Sequence, residues 1–242
     1  MMSIDGRLTL ASDVLLLHGD PRWDALTVPG VDVYQGLMSA YQPQALLEGS
    51  GSFVLPGQVS DPLPAYPGDP GALYQSYLPQ AVVQQPGRKW FVVVDSRGRV
   101  RWMFKEFPGE TWSGWHLLVL TSRQTPAEYL AYLRSQEIPY LVAGNERVDL
   151  GQAVEALQRE LGVEQIVATG GGQLSGALLR SSLIDEISLE VLPAAIGGAG
   201  VPSLFDAPPL LAGQLPTRLK LLECRPQPDG RLLLYYRVLN SG

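Results

Sequence analysis

Between Lys89 and Pro193 short apolar runs alternate with amphipathic helical patterns, and no other feature of this 242-residue chain restricts its fold as much. KWFVVVD (89–95) and WHLLVLT (115–121) have the β-branched and aromatic density of buried parallel strands. Thr125 to Gln136 reads as a helix with Thr125 as N-cap, Pro126 at the first helical position and Tyr129, Leu130, Tyr132 and Leu133 as its apolar positions. Pro139 to Ala143 predicts a third strand and Asp149 to Leu161 a second helix. The run Val163 to Ala168 then ends in Gly170, Gly171 and Gly172 and enters a helical pattern with Leu174, Ala177, Leu178 and Leu179 on one face. This alternation predicts an α/β fold with a mostly parallel sheet flanked by helices. Leu219 to Cys224 and Leu232 to Val238, joined across PQPDG, predict a C-terminal antiparallel hairpin that makes the sheet mixed.

Ligands of such sheets bind at the carboxyl ends of the strands, which is where GSGSF, DSRGR, LTSR and TGGG all fall. At the glycine triplet, missing Cβ atoms and the unpaired amides of a first helical turn would admit a phosphate. A close helix-to-sheet crossing needs the same small residues. Ser96 with Arg97, Arg99 and Arg101 would grip a phosphate through charge-assisted bonds, or else form a solvated edge. Val54 to Gly71 is rich in proline and predicts a long irregular segment that covers a site, packed down by Tyr66, Tyr74 and Tyr77.

A net charge of -6 leaves no basic excess for general nucleic-acid binding. No basic leader or membrane-length apolar run is visible, so a cytoplasmic location is expected. The single cysteine, Cys224, predicts a small buried apolar residue. His18 and His116 have no visible ligand partners and read as core or surface residues, and no metal is expected.

Four segments together resemble the reductase family of riboflavin biosynthesis: SIDGR (3–7), FVVVDSRGRV (91–100), YLVAGNERVDL (140–150) and GGGQLSGALLRSSLIDEISLEVLP from Gly170 to Pro193. That family is the C-terminal half of the bifunctional deaminase-reductase and has the dihydrofolate-reductase fold. The resemblance implies a single domain over 1–242 with an irregular insertion at about 54–88, a homodimer, and NADPH as reductant of a phosphoribosylamino-pyrimidine whose ribose becomes a ribityl chain. It also implies that Ser52, Ser96, Gly170, Gly171, Gly172, Gln173 and Leu174 line the cofactor, with the glycine turn on its pyrophosphate and Arg97 or Arg99 at the 2′-phosphate. Asp5 and Arg7 would face the substrate.

Three departures concern the substrate half. The acidic residue that the family places just before the glycine turn is Thr169 here, the early-helix arginine aligns near Ala40, and the substrate-gripping segment is replaced by a stretch around Asp61, Pro62 and Leu63. The strand that usually precedes SIDG is nearly absent, so either the start lies upstream or the sheet lacks an element. Three readings stay open: a reductase of a pyrimidine- or pterin-type molecule, a catalytically silent nucleotide-binding or assembly subunit with the same fold, and an enzyme that uses the glycine turn for another phosphorylated ligand.

Overall fold

The computed structural model describes residues 1–15, 19–26, 33–107 and 110–239. Along the chain run β1 (Met2–Ser3), α1 (Pro21–Asp24), α2 (Val33–Tyr41), β2 (Ala45–Gly49), α3 (Gln80–Val83), β3 (Lys89–Val94), β4 (Trp115–Thr121) and α4 (Ala127–Ser135). Then come β5 (Tyr140–Val142), α5 (Leu150–Leu161), β6 (Ile166–Ala168), α6 (Gly172–Arg180), β7 (Glu186–Leu192), β8 (Arg218–Pro226) and β9 (Leu232–Leu239). The chain divides into two compact units, Asp32–Thr169 and the pair of segments Met1–Val31 with Gly170–Gly242.

The Asp32–Thr169 unit holds the predicted α/β alternation as a five-stranded sheet in the order β5-β4-β3-β2-β6, with every pairing parallel. All of β4 is buried and β3 is buried from Trp90 to Val93, as expected of strands covered on both faces. Leu46, Phe91, Val93, Leu117 and Val119 pack with Tyr129, Leu130 and Leu133 of α4. Each such side chain contributes about 1.5–3 kcal/mol on burial. Asp149 caps α5 by accepting from the Gln152 amide, and Gly162 closes that helix with φ 65°.

Part of the proline-rich stretch folds onto this core. Leu63, Tyr66, Tyr74 and Tyr77 pack against it, and Tyr77 exchanges backbone hydrogen bonds of 2.8 and 2.9 Å with Tyr140. This bridge covers the outer edge of β5, which would otherwise present unpaired backbone groups. Thr125 does not cap α4 as its sequence position predicts. Its hydroxyl donates instead to the Ser96 carbonyl at 2.9 Å and accepts from the Ser122 amide, and the helix begins after Pro126 without a side-chain cap.

The other unit carries a four-stranded sheet in the order β1-β7-β9-β8, with β1 parallel to β7 and the rest antiparallel. The C-terminal hairpin is present, but it pairs with β7 in this second sheet and does not extend the parallel one. The strands thus form two hydrogen-bonded sheets, the parallel one and the one in which β9 pairs antiparallel with β7. Cys224 is exposed, contrary to the buried place expected for it, because all nine residues of the edge strand β8 are exposed.

Candidate functional site

In the parallel sheet Leu47 stands in register with Ala168, so Glu48 and Thr169, one residue further along each strand, are neighbours on the same face. Thr169 Oγ1 donates to Glu48 Oε1 at 2.5 Å, and its amide donates to the Leu47 carbonyl at 3.1 Å. Ser52, in the short turn after β2, donates to the other carboxylate oxygen, Oε2, at 2.8 Å. Glu48 is only 4% exposed and has no cationic partner among the described residues. Burial raises its pKa, and the Thr169, Ser52 and Gly49 hydrogen bonds only partly oppose that.

The next strand end carries the arginine turn. Asp95 Oδ2 accepts from the amides of Arg99 at 2.8 Å and Val100 at 2.9 Å, which folds the chain back after β3. Burial pushes the Asp95 carboxyl up, against the pull of those amides, the Tyr129 phenol and Arg99. Gly98 adopts φ 63° directly over Tyr129, where an added Cβ would stand 2.7 Å from the ring. Ser96 is engaged inside the fold, its Oγ accepting from the Val148 amide at 3.0 Å. Arg99 donates to Ser50 Oγ at 3.1 Å, while its buried Nε has no partner among the described residues. Arg101 binds the Asp61 carbonyl and lies over Tyr129, whereas Arg97 is exposed with no partner among the described residues. These three arginines, Tyr129 and the Gln58–Ser60 stretch line a hollow of about 420 Å³.

In the other unit, Asp5 accepts from Ser3 Oγ at 2.6 Å and from the amides of Ile196 at 3.1 Å and Gly197 at 2.7 Å. These bonds, Ser3 first, hold its carboxyl well below the usual carboxylate range, so it is a fixed anion. Arg7 lies 3.8 Å from it and donates to the Val201 carbonyl at 2.8 Å. The glycine triplet serves two ends. Gly172 and Gly176 let the segment around Asp206 approach, since a Cβ at Gly172 would meet Asp206 Oδ2 at 2.7 Å and one at Gly176 its backbone at 2.9 Å. Gly171, the N-cap of α6, has open space where its Cβ would stand and no side chain capping the helix. Gln173 is exposed beside it, Leu174 faces inward, and Gly170 is buried with its carbonyl bound by Ser175.

Sequence reasoning passed over Glu48, Asp95 and Asp206. For Glu48 the signal is a lone carboxylate at the end of the apolar run ALLEG. His116 is a buried core residue, with Nδ1 2.8 Å from the Leu117 carbonyl and its ring against Trp90; His18 lies outside the described residues.

A five-stranded parallel sheet with hydroxyls, carboxylates and arginines at its carboxyl ends defines an α/β protein of the class that binds small ligands beyond its strand ends. The chain belongs to the family of the RibD C-terminal domain, whose model matches residues 37–233. It is 36% identical over 115 residues to the 2,5-diamino-6-ribosylamino-4(3H)-pyrimidinone 5′-phosphate reductase of Archaeoglobus fulgidus, covering 48% of this chain and 50% of that protein. It is 28% identical over 220 residues to the riboflavin biosynthesis protein RibD of Escherichia coli, covering 85% and 52%. The chain spans about half the length of these curated relatives. Its fold is that of a pyrimidine reductase-like protein from Corynebacterium diphtheriae, with a TM-score of 0.65 at 18% identity over 99% of this chain and 90% of that one.

Proposed function

We propose that the protein is an NADPH-dependent reductase of a phosphoribosylamino-pyrimidine in riboflavin biosynthesis, working as a cytoplasmic homodimer. The observation that carries this reading is the family match over residues 37–233, joined to relatives named as reductases of such a compound. The residues present fit the cofactor. Among the described residues, Arg97 has no partner and stands beside Arg99, whose buried Nε finds no acceptor there, and a 2′-phosphate would supply one. Gly171 leaves backbone amides open at the start of a nine-residue helix, a suitable place for a diphosphate. Ser96 fixes the turn that carries the arginines, and Ser52 is assigned to the cofactor by resemblance.

When bound, NADPH supplies the hydride. The chain's own residues bind, orient and keep water away. Asp5, permanently charged, is suited to orient substrate or its own loop together with Arg7, and is unsuited to give up a proton. Thr169 lies on the substrate side, in contact with Glu48, a carboxyl whose pKa burial raises. The dimer reading draws on Leu219, Leu221 and Leu222, which β8 exposes side by side on an edge strand. Following NADPH oxidation with 5-amino-6-(5-phosphoribosylamino)uracil and with the 2,5-diamino pyrimidinone phosphate tests the reading. Turnover of either supports it, and indifference to both, with no NADPH binding, ends it.

A further inference from the structure

Glu48 is the least expected residue of the parallel sheet. The rest of β2 is apolar and buried up to its terminal glycine, and a leucine or valine at position 48 would satisfy that packing at no electrostatic cost. Both carboxylate oxygens are instead engaged by hydroxyls, Ser52 on one and Thr169 on the other, with no cation among the described residues to offset the charge.

That arrangement fixes what the hydroxyls present outward. An ionised carboxylate only accepts hydrogen bonds, so Ser52 and Thr169 each spend their single proton on Glu48 and keep only lone pairs for anything else. A proton on Glu48 would free at most one of the two hydroxyls to donate. In either state the cluster is rich in acceptors, and when ionised it carries a negative charge that repels anions. A phosphate needs donors and positive charge. An amino group or a ring N–H needs the acceptors that are here.

We propose that Glu48, braced by Ser52, orients and polarises Thr169 as an acceptor for the amino and ring N–H groups of an aminopyrimidine, and that this cluster rejects phosphate. Thr169 is the contacting residue and Glu48 the positioning residue. The proposal deepens the reductase reading and rests on it for the choice of heterocycle.

The test is calorimetric titration of the full chain with a 2-aminopyrimidin-4-one and, separately, with inorganic diphosphate. The proteins are the wild type, Glu48→Gln, Thr169→Val and Thr169→Ser. Glu48→Gln and Thr169→Val are expected to weaken the aminopyrimidinone by about tenfold or more, the loss expected when a charge-supported hydrogen bond is removed. Diphosphate binding is expected to stay unchanged in Thr169→Val and to strengthen in Glu48→Gln, which removes the repelling charge. Thr169→Ser, which keeps the hydroxyl, is expected to bind within about threefold of wild type, an effect below a typical hydrogen bond. A merely structural role for the cluster would lower the melting temperature in step with binding and would not separate serine from valine. Equal binding of the heterocycle by all four proteins, or no binding by wild type, overturns the proposal. Weakened diphosphate binding in Glu48→Gln does so too. If wild type binds the heterocycle in a Glu48-dependent way yet ignores NADPH, the subsite stands and the reductase reading falls.

Discussion

Thr169 Oγ1 and Glu48 Oε1, 121 positions apart in sequence, share a 2.5 Å hydrogen bond at the carboxyl ends of adjacent parallel strands. The bond joins the residue that departs most visibly from the family's pattern to a carboxylate one strand away. A carboxylate thus stands beside the position just before the glycine turn, brought there by β2.

A buried carboxyl with a raised pKa favours the protonated form in the folded state. Its contribution to stability is present at acid pH and lost as pH rises through the raised value. Glu48→Gln removes this dependence. Urea unfolding at pH 4, 6 and 8 should show the variant gaining on wild type as pH rises, by on the order of 1 kcal/mol, a common size for one substitution. Asp95 shifts in the same direction but is present in both proteins, so it cancels from the difference. Equal pH profiles would contradict the assignment.

Asp5 runs the other way. Hydrogen bonds from Ser3, Ile196 and Gly197 lower its pKa, so its contribution is present above the ordinary carboxylate value and is lost as pH falls below it. Asp5→Asn should melt below wild type at pH 6, with the gap closing below about pH 4, the unfolded-state value. A gap that stays constant down to pH 2.5 would count against it.

Gly171 and Gly172 separate packing from binding. Gly171 has an ordinary φ of -67° and open space, so Gly171→Ala should change stability by less than about 0.5 kcal/mol. Gly172→Ala must displace the segment around Asp206 and should lose about 1–3 kcal/mol, as overpacked sites do. Gly171→Asp should fold like wild type yet bind NADPH much more weakly. Thermal melts paired with NADPH titrations read both effects.

Arg97 is exposed and has no partner among the described residues, so Arg97→Ala should leave the melting temperature unchanged. If it meets the 2′-phosphate, its loss removes a charged contact of about 1.5–3 kcal/mol and narrows the preference for NADPH over NADH by about tenfold or more. Comparing the two Kd values in wild type and variant checks this.

The parallel strands are legible in the sequence because runs such as WHLLVLT are buried on both faces, and such burial writes itself as an unbroken apolar stretch. The α5 boundaries are legible because Asp149 and Gly162 are local signals. Glu48 is not, since its burial depends on a register with Thr169 that no local window contains. Thr125 misleads for the same reason: its hydroxyl serves the distant Ser96 carbonyl instead of its own helix. The glycine triplet is only half legible, because the segment that makes Gly172 necessary arrives from Ser203 to Asp206. The hairpin can be read from PQPDG, but its sheet cannot, since nothing near it shows that β9 pairs with β7.

The most direct measurement is nicotinamide fluorescence during titration of the wild-type chain with NADPH, followed by addition of the pyrimidine phosphate. The account predicts saturable binding in the micromolar range, weakened by Gly171→Asp, and stoichiometric NADPH oxidation once the pyrimidine is added. No binding at high micromolar NADPH, or binding with no oxidation in the presence of either pyrimidine phosphate, would contradict it.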